Sequence, residues 1–362
     1  MLSVGINASP LAAPRTGVGR YIVGLLAALE RLPDRDVTVR PLFAPGAAIR
    51  KPSGLAARAF AVARGAVKRL PAAYALADAA RAAALAAERR RGLAVYHETN
   101  HAAPPFDGPV VLTIHDLSTL IVPQTEEPAR VRHFAPALRT RARFATRVVT
   151  PTEAIAREVM ERLGVQPDRV RAIPHGVDER FRPDGPRATP VPRPYVLYVG
   201  ALGPRKGVDT LLAAWRALPG RVRRDHALVL AGPLQRLDPN GLEDAVLLGY
   251  VRDADLPALL RGASAFCYPS RYEGSGLPLL EALACGVPSI ASDDPALVEV
   301  AGGAALHAPR GDVEALQDAL RRTLDDSSLC ADLSRRGPER AASFTWERCA
   351  RAHLAAYREA AS

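Results

Sequence analysis

SRYEGSGLPLLEALACGVPSIASD, residues 270–293, contains a complete structural unit of the chain. An apolar run, SAFCYPS (264–270), ends in the glycine-rich turn RYEGSGLP; the helical pattern PLLEALACG (278–286) follows, and a second β-branched run, VPSIAS (287–292), closes the unit. Strand, turn, helix and strand in that order build a parallel sheet with helices on its faces. The same stretch carries chemistry. The first turn of a helix presents unpaired N–H groups and the positive end of the helix dipole, so anions bind there. Gly274 and Gly276 let the backbone approach a phosphate closely. Glu281, about one turn past those amides, is placed to accept both hydroxyls of a ribose, and Glu273, ahead of the helix, to hold a sugar beyond the phosphates. The stretch reads as a clamp for a nucleotide sugar.

Outward from this unit the alternation continues in both directions. LSVGI (2–6), VVLTI (110–114), RVVTP (147–151), VRAIP (170–174), YVLYVG (195–200), ALVLAG (227–232) and AVLLGY (245–250) read as buried strands. Helical patterns separate most of them, among them 21–32, 208–218 and 254–263. Such alternation implies doubly wound α/β sheets, and 362 residues exceed what one core supports, so two domains are expected. The boundary falls at FRPDGPRATPVPRP (181–194), where apolar periodicity stops. The division is then 1–182, a proline-rich linker 183–194, a second domain 195–343, and a C-terminal helix 344–362 that packs back on the first domain. Ligands of open α/β sheets bind beyond the carboxyl ends of the strands, which here predicts a cleft between two facing domains.

Composition narrows the function classes. The hydrophobic fraction is 48%, and the 32 prolines and 27 glycines are scattered, which excludes disordered and fibrous proteins. Cys267, Cys285, Cys330 and Cys349 show no CxxC spacing, so free thiols in a reducing compartment are expected rather than zinc or a disulfide framework. The amino end lacks a signal-peptide pattern and no long uncharged apolar run occurs, which points to a cytoplasmic chain without a membrane span. The net charge of +10 is concentrated: residues 50–91 hold ten basic side chains (Arg50, Lys51, Arg58, Arg64, Lys68, Arg69, Arg81, Arg89, Arg90 and Arg91) against Asp78 and Glu88. Interleaved with apolar residues, this segment fits either a basic amphipathic helix on an anionic membrane or a helix packed on the first domain. Nucleic acid is not an expected partner, since aromatic residues are only 5% and no stacking motif accompanies the charge. A nicotinamide dehydrogenase would need a full G-x-G-x-x-G after its first strand, and RTGVGR falls short.

The E-x7-E spacing of Glu273 and Glu281, with GLPLLEALACGVPSIAS around it, resembles the retaining glycosyltransferases of the GT-B fold, in particular the bacterial family 4. TGVGRY (16–21), TIHDL (113–117), IPHGVD (173–178), YVGALGPRKGVDTLLAAW (198–215) and FTWERCA (344–350) extend the resemblance over nearly the whole chain. It implies the GT-B architecture of two Rossmann-like domains and transfer of a hexosyl unit from a nucleoside diphosphate sugar, with no cofactor or metal. Arg205 and Lys206 would neutralise the leaving diphosphate, although a solvated Arg-Lys pair is the common alternative for such a dipeptide. His115 would bond the transferred sugar, Glu273 would position it, and Gly17 and Gly19 would bring loop amides to it or to the phosphates. The donor contacts implied are completed by Tyr250, Val251, Gly274, Ser275, Gly276, Leu277 and Glu281. Asp253 and Asp255 match a metal-binding D-x-D, but their place at a helix start is explained more simply by capping. His175 stands where the family more often has Asn, and no role follows for it. The motifs look most like mannosyl- and rhamnosyltransferases of surface polysaccharide synthesis. GDP-mannose is then the expected donor and a glycan carried on polyprenyl diphosphate the expected acceptor, with a UDP-sugar transferase or a nucleotide-sugar epimerase as alternatives.

Overall fold

A computed structural model describes residues 1–12, 17–32, 36–43, 71–101, 103–238 and 241–362. The chain forms two compact units, Met1–Gly176 together with Trp346–Ser362, and Val177–Thr345. The proline-rich stretch 181–194 therefore lies inside the second unit, where Phe181 is buried in the core and Tyr195 bonds the Ala188 carbonyl at 3.0 Å.

The first unit holds β1 (Leu2–Asn7), β2 (Val37–Leu42), β3 (Val95–Glu98), β4 (Val110–Thr113), β5 (Arg147–Thr150) and β6 (Val170–Ala172), all parallel, in the order β2-β1-β3-β4-β5-β6. Its helix Gly17–Arg31 buries Tyr21, Ile22, Leu25 and Ala28 against the sheet, the spacing that a period of 3.6 requires of a one-sided helix. The helix Trp346–Ala361 returns to this unit and buries Cys349, His353, Leu354 and Tyr357. Gly176 and Gly24 make that return possible. A Cβ on Gly176 would stand 2.2 Å from the Trp346 backbone nitrogen, and one on Gly24 would stand 2.3 Å from its indole.

The second unit repeats the design with β7 (Tyr195–Val199), β8 (Ala227–Ala231), β9 (Ala245–Gly249), β10 (Ala265–Tyr268), β11 (Ser289–Ser292) and β12 (Leu306–Ala308), in the order β12-β11-β10-β7-β8-β9, again all parallel. β7, β8, β10 and β11 are buried throughout and read as unbroken apolar runs, as central parallel strands must. In each sheet the chain leaves its first strand in one direction and later returns on the other side. The reversal falls between β1 and β3 in the first unit and between β7 and β10 in the second, and crevices open at such points beyond the strands' carboxyl ends.

β2, β3 and β12 are strands that hydrophobic patterning did not reveal. Val37–Leu42 includes Arg40 and Pro41, which edge strands tolerate, and Val95–Glu98 ends in the buried His97 and Glu98. Among the described residues no helix is long and apolar enough to cross a membrane. The four cysteines are free, and Cys267, Cys285 and Cys349 are buried.

Candidate functional site

The reversal point of the second sheet brings two turns together. The turn after β7 contains the single helical turn Pro204–Lys206, and the turn after β10 contains 270–276. Arg271 ties them: its amide donates to the Arg205 carbonyl at 2.9 Å, and its guanidinium grips Asp209 with two bonds of 2.9 and 2.7 Å. Gly207 is obligatory at this junction. Its φ is +66°, and a Cβ would stand 2.0 Å from the Pro269 carbonyl oxygen.

The side chains on these turns form one cluster. Lys206 donates from Nζ to a Glu273 carboxylate oxygen and to the Tyr268 hydroxyl at 3.2 Å, while Arg205 donates to the Tyr272 carbonyl at 3.1 Å. Glu273 is buried, which alone would push its carboxyl up. The neighbouring Lys206 and Arg205 charges outweigh burial and hold it below the ordinary carboxylate value, so it is an anion at neutral pH. The sequence suggested two cations facing a diphosphate; the structure joins one of them, Lys206, to Glu273 in a partly buried ion pair.

Beyond Glu273 the chain passes through Gly274 and the half-buried Ser275 to Gly276, which takes the left-handed φ of +56° and starts the helix Leu277–Ala284. A Cβ on Gly276 would stand 2.7 Å from Leu297, so both conformation and packing demand glycine. Glu281 is buried within this helix, 3% exposed. Tyr250 and Val251 follow β9, the edge strand separated from β10 by β8 and β7, and Tyr250 is 53% exposed.

Asp294, which the sequence reading did not single out, anchors the cluster. It caps the helix Pro295–Ala301, accepting from the Ala296 and Leu297 amides at 3.0 and 3.4 Å, and also accepts from the Glu273 amide at 3.3 Å. Burial first, and the Glu273 charge second, push its carboxyl up to about 7. Asp followed by Pro at a helix start was the available signal.

Asp255 corrects the capping expectation. It stands at the start of Leu256–Gly262 without a side-chain capping bond, and its carboxylate takes the Arg252 guanidinium at 2.6 and 3.0 Å instead. No cluster of three metal-ligating side chains occurs among the described residues.

In the first unit, Gly17 and Gly19 lie in the first turn of the helix Gly17–Arg31 rather than in a loop. His115, just past β4, donates Nε2–H to the Thr99 carbonyl at 2.9 Å, which leaves the lone pair of the neutral ring on Nδ1. Burial lowers its proton affinity. His175 stacks on Tyr21 at 4.6 Å between ring centres, lies parallel to Trp346 at 6.2 Å, and meets His115 edge-on at 5.5 Å. Beneath them runs a relay that the sequence did not disclose. His353 donates Nδ1–H to the Cys349 carbonyl and accepts from the Tyr21 hydroxyl, both at 2.8 Å, while Thr113 lies 3.0 Å from Tyr21 and 2.7 Å from His97, whose other nitrogen is 2.8 Å from the Tyr357 hydroxyl. Burial keeps these histidines neutral, with His353 lowered to about 4.

Of the ten cations in 50–91, Arg50, Lys51, Arg58, Arg64, Lys68 and Arg69 lie outside the described residues. Arg81 pairs with Asp78 at 2.7 Å and with the buried Glu98 at 3.4 Å, Arg89 bonds the Leu93 carbonyl at 3.0 Å, and Arg91 pairs with Glu88 at 2.9 Å.

Two doubly wound sheets, one with a cation–carboxylate cluster at its reversal point, make an α/β protein of two Rossmann-like units whose second sheet offers a charged crevice for a ligand. The chain belongs to the family 4, group 1 glycosyltransferases: residues 15–181 match "Glycosyltransferase Family 4" and residues 184–340 match "Glycosyl transferases group 1". It is 33% identical to the O-antigen chain mannosyltransferase B of Escherichia coli over 73% of this chain and 74% of that one. It is 34% identical to the MMP alpha-(1->4)-mannosyltransferase of Mycolicibacterium hassiacum, over 60% of this chain and only 55% of that protein's length. The fold is that of Anabaena HepE in complex with UDP-glucose, with a TM-score of 0.70, 14% identity and coverage of 98% and 99% of the two chains. The protein is a glycosyltransferase of GT-B fold.

Proposed function

We propose that this glycosyltransferase moves a mannosyl unit from GDP-mannose, with retention at the anomeric carbon, to a hydroxyl of a polyprenyl-diphosphate-linked glycan in surface polysaccharide synthesis. The observation that carries the donor reading is the Lys206–Glu273 pair beside Arg205 at the reversal point between β7 and β10. A carboxylate held ionised by adjacent cations can orient sugar hydroxyls, and the same cations can stabilise the charge that develops on a departing diphosphate. Glu281 would hold the ribose, with Gly274, Ser275, Gly276 and Leu277 lining the phosphates. The acceptor proton would pass to the leaving phosphate oxygen as the new glycosidic bond forms on the same face, so that no protein nucleophile and no metal enter. His115 would contact the sugar through its free Nδ1.

Mannose is favoured because both relatives described above are named mannosyltransferases. The UDP-glucose bound by HepE keeps a UDP-sugar as the second reading. Thermal denaturation in GDP-, UDP- and dTDP-sugars separates them. A ligand at about 100 times its Kd stabilises by about 2.7 kcal/mol, and GDP-mannose is expected to raise the melting temperature most. A larger rise with a UDP-sugar would replace the donor, and turnover abolished by EDTA and restored by Mn would overturn the cation role given to Arg205 and Lys206.

A further inference from the structure

The helix Pro128–Phe144 carries five arginines, Arg130, Arg132, Arg139, Arg141 and Arg143, and no acidic residue. Its buried positions are Leu138 and Ala142, and Arg132, Arg139 and Arg143, exposed and within about 40° of one another around the helix axis, form a stripe that flanks that buried edge. Two of the five are engaged. Arg130 pairs with Glu126 at 3.3 Å, and Arg143 donates Nε–H to the Leu163 carbonyl at 2.9 Å, which closes the end of the helix Glu153–Leu163 and sets Arg162 beside the stripe. Arg132, Arg139 and Arg162 are exposed and have no ion-pair partner among the described residues; the exposed Glu161 beside Arg162 makes no ion pair either. At the end of the stripe Phe144 is 80% exposed, and besides Met1 it is the one exposed large apolar side chain among the described residues of this unit. Arg139, Thr140, Arg143, Phe144, Arg162 and Leu163 line an open hollow of about 530 Å³.

Unneutralised guanidinium groups around a phenyl ring held in water match one kind of partner in both respects. Guanidinium forks bind phosphate in two-point fashion and shed water more readily than ammonium groups do, and an exposed phenyl ring is buried favourably on the acyl side of the headgroup boundary. A nucleic acid would call for several rings in series to stack its bases, and this face offers one. We propose that the Arg132, Arg139, Arg162 and Phe144 face of this unit docks the chain on an anionic bilayer. The proposal goes beyond the donor and acceptor reading, and its test reads binding rather than turnover, so either can fail without the other.

The experiment is co-sedimentation with vesicles of phosphatidylcholine alone and of phosphatidylcholine mixed with phosphatidylglycerol, at low and high salt. The wild-type chain is expected to sediment with the mixed vesicles at low salt and to be released as salt shortens the range of the charges. Arg132→Gln, Arg139→Gln and Arg162→Gln together are expected to weaken binding about 100-fold, each cation at an anionic surface contributing about fivefold. Phe144→Ser is expected to weaken what binding survives at high salt. The triple variant Arg221→Gln, Arg321→Gln, Arg351→Gln removes the same charge from other exposed sites and is expected to bind like wild type. Should the first triple variant melt early, Arg132→Gln alone and Phe144→Ser still decide the matter. Equal loss in both triple variants, or no wild-type sedimentation at low salt, would overturn the proposal. Displacement of the vesicles by a short RNA at equal phosphate would hand the face to a nucleic acid. Loss in an Arg64→Gln, Lys68→Gln, Arg69→Gln variant, with none in the Arg132 set, would move docking to 50–91.

Discussion

Glu273 and Glu281 share a sequence motif but not an environment. Glu273 lies against two cations on a turn, whereas Glu281 sits inside a helix with its side chain buried. Their substitutions should therefore separate. Glu281→Ala is expected to weaken donor binding by about 1 to 3 kcal/mol, the cost of leaving hydrogen-bonding hydroxyls unpaired. Glu273→Ala is expected to lower kcat more than it raises KM, since its partner is the reacting sugar. Steady-state kinetics with calorimetry of the donor nucleotide distinguishes the two, and small equal effects would remove the clamp. The residue types of this site were legible because strand, glycine turn and acid occur within one short stretch. Asp294 was less so, because its bond to the Glu273 amide spans 21 positions, and the partners of His97 and His353 lie up to 332 positions away in the chain. No local pattern records such pairs.

β4, β7, β8, β10 and β11, all found by patterning, are buried along their whole length, whereas β9 was found through its apolar residues although it is a largely exposed edge strand. β3, which patterning missed although it is buried throughout, ends in polar residues with partners of their own: its last residue, Glu98, accepts from Asn7 at 2.6 Å and from Tyr96 at 2.7 Å. Elements whose polar groups are satisfied in three dimensions do not look apolar in one. The helix Pro295–Ala301 carries a prediction of this kind. Folded, its cap Asp294 titrates at about 7, against 3.8 as the ordinary value. Between those values the native state holds a proton that the unfolded chain has released. The raised pKa thus contributes stability at low pH that is lost as pH rises through about 7. Asn caps a helix nearly as well and cannot ionise. Asp294→Asn is accordingly expected to melt above wild type at pH 8, with the difference shrinking toward pH 5. A pH-independent difference would mean that Asp294 is not the titrating group.

At the scale of the molecule, the alternation of strands and helices announced two doubly wound units, whereas the division at Gly176 left no mark in composition and the proline-rich run belongs to the second unit. The first unit is closed by a helix from the far end of the sequence, and that closure can be probed at one atom. Gly24→Ala is expected to destabilise the protein by about 1 to 3 kcal/mol in chemical denaturation, although alanine is the better helix former, because the added methyl would overlap the Trp346 indole. Unchanged stability would show that the ring moves aside. The same helix has a consequence for biosynthesis. The second unit is one unbroken stretch and can collapse as soon as it has emerged, but the earlier-made unit waits for residues 346–361 before His97 and Tyr21 gain their last partners. At about 5 to 20 residues per second that wait lasts roughly 10 to 40 s. For this period the first-synthesised half of the protein has an uncovered sheet face, which makes it, rather than its successor, the stretch of the nascent chain most in need of a chaperone.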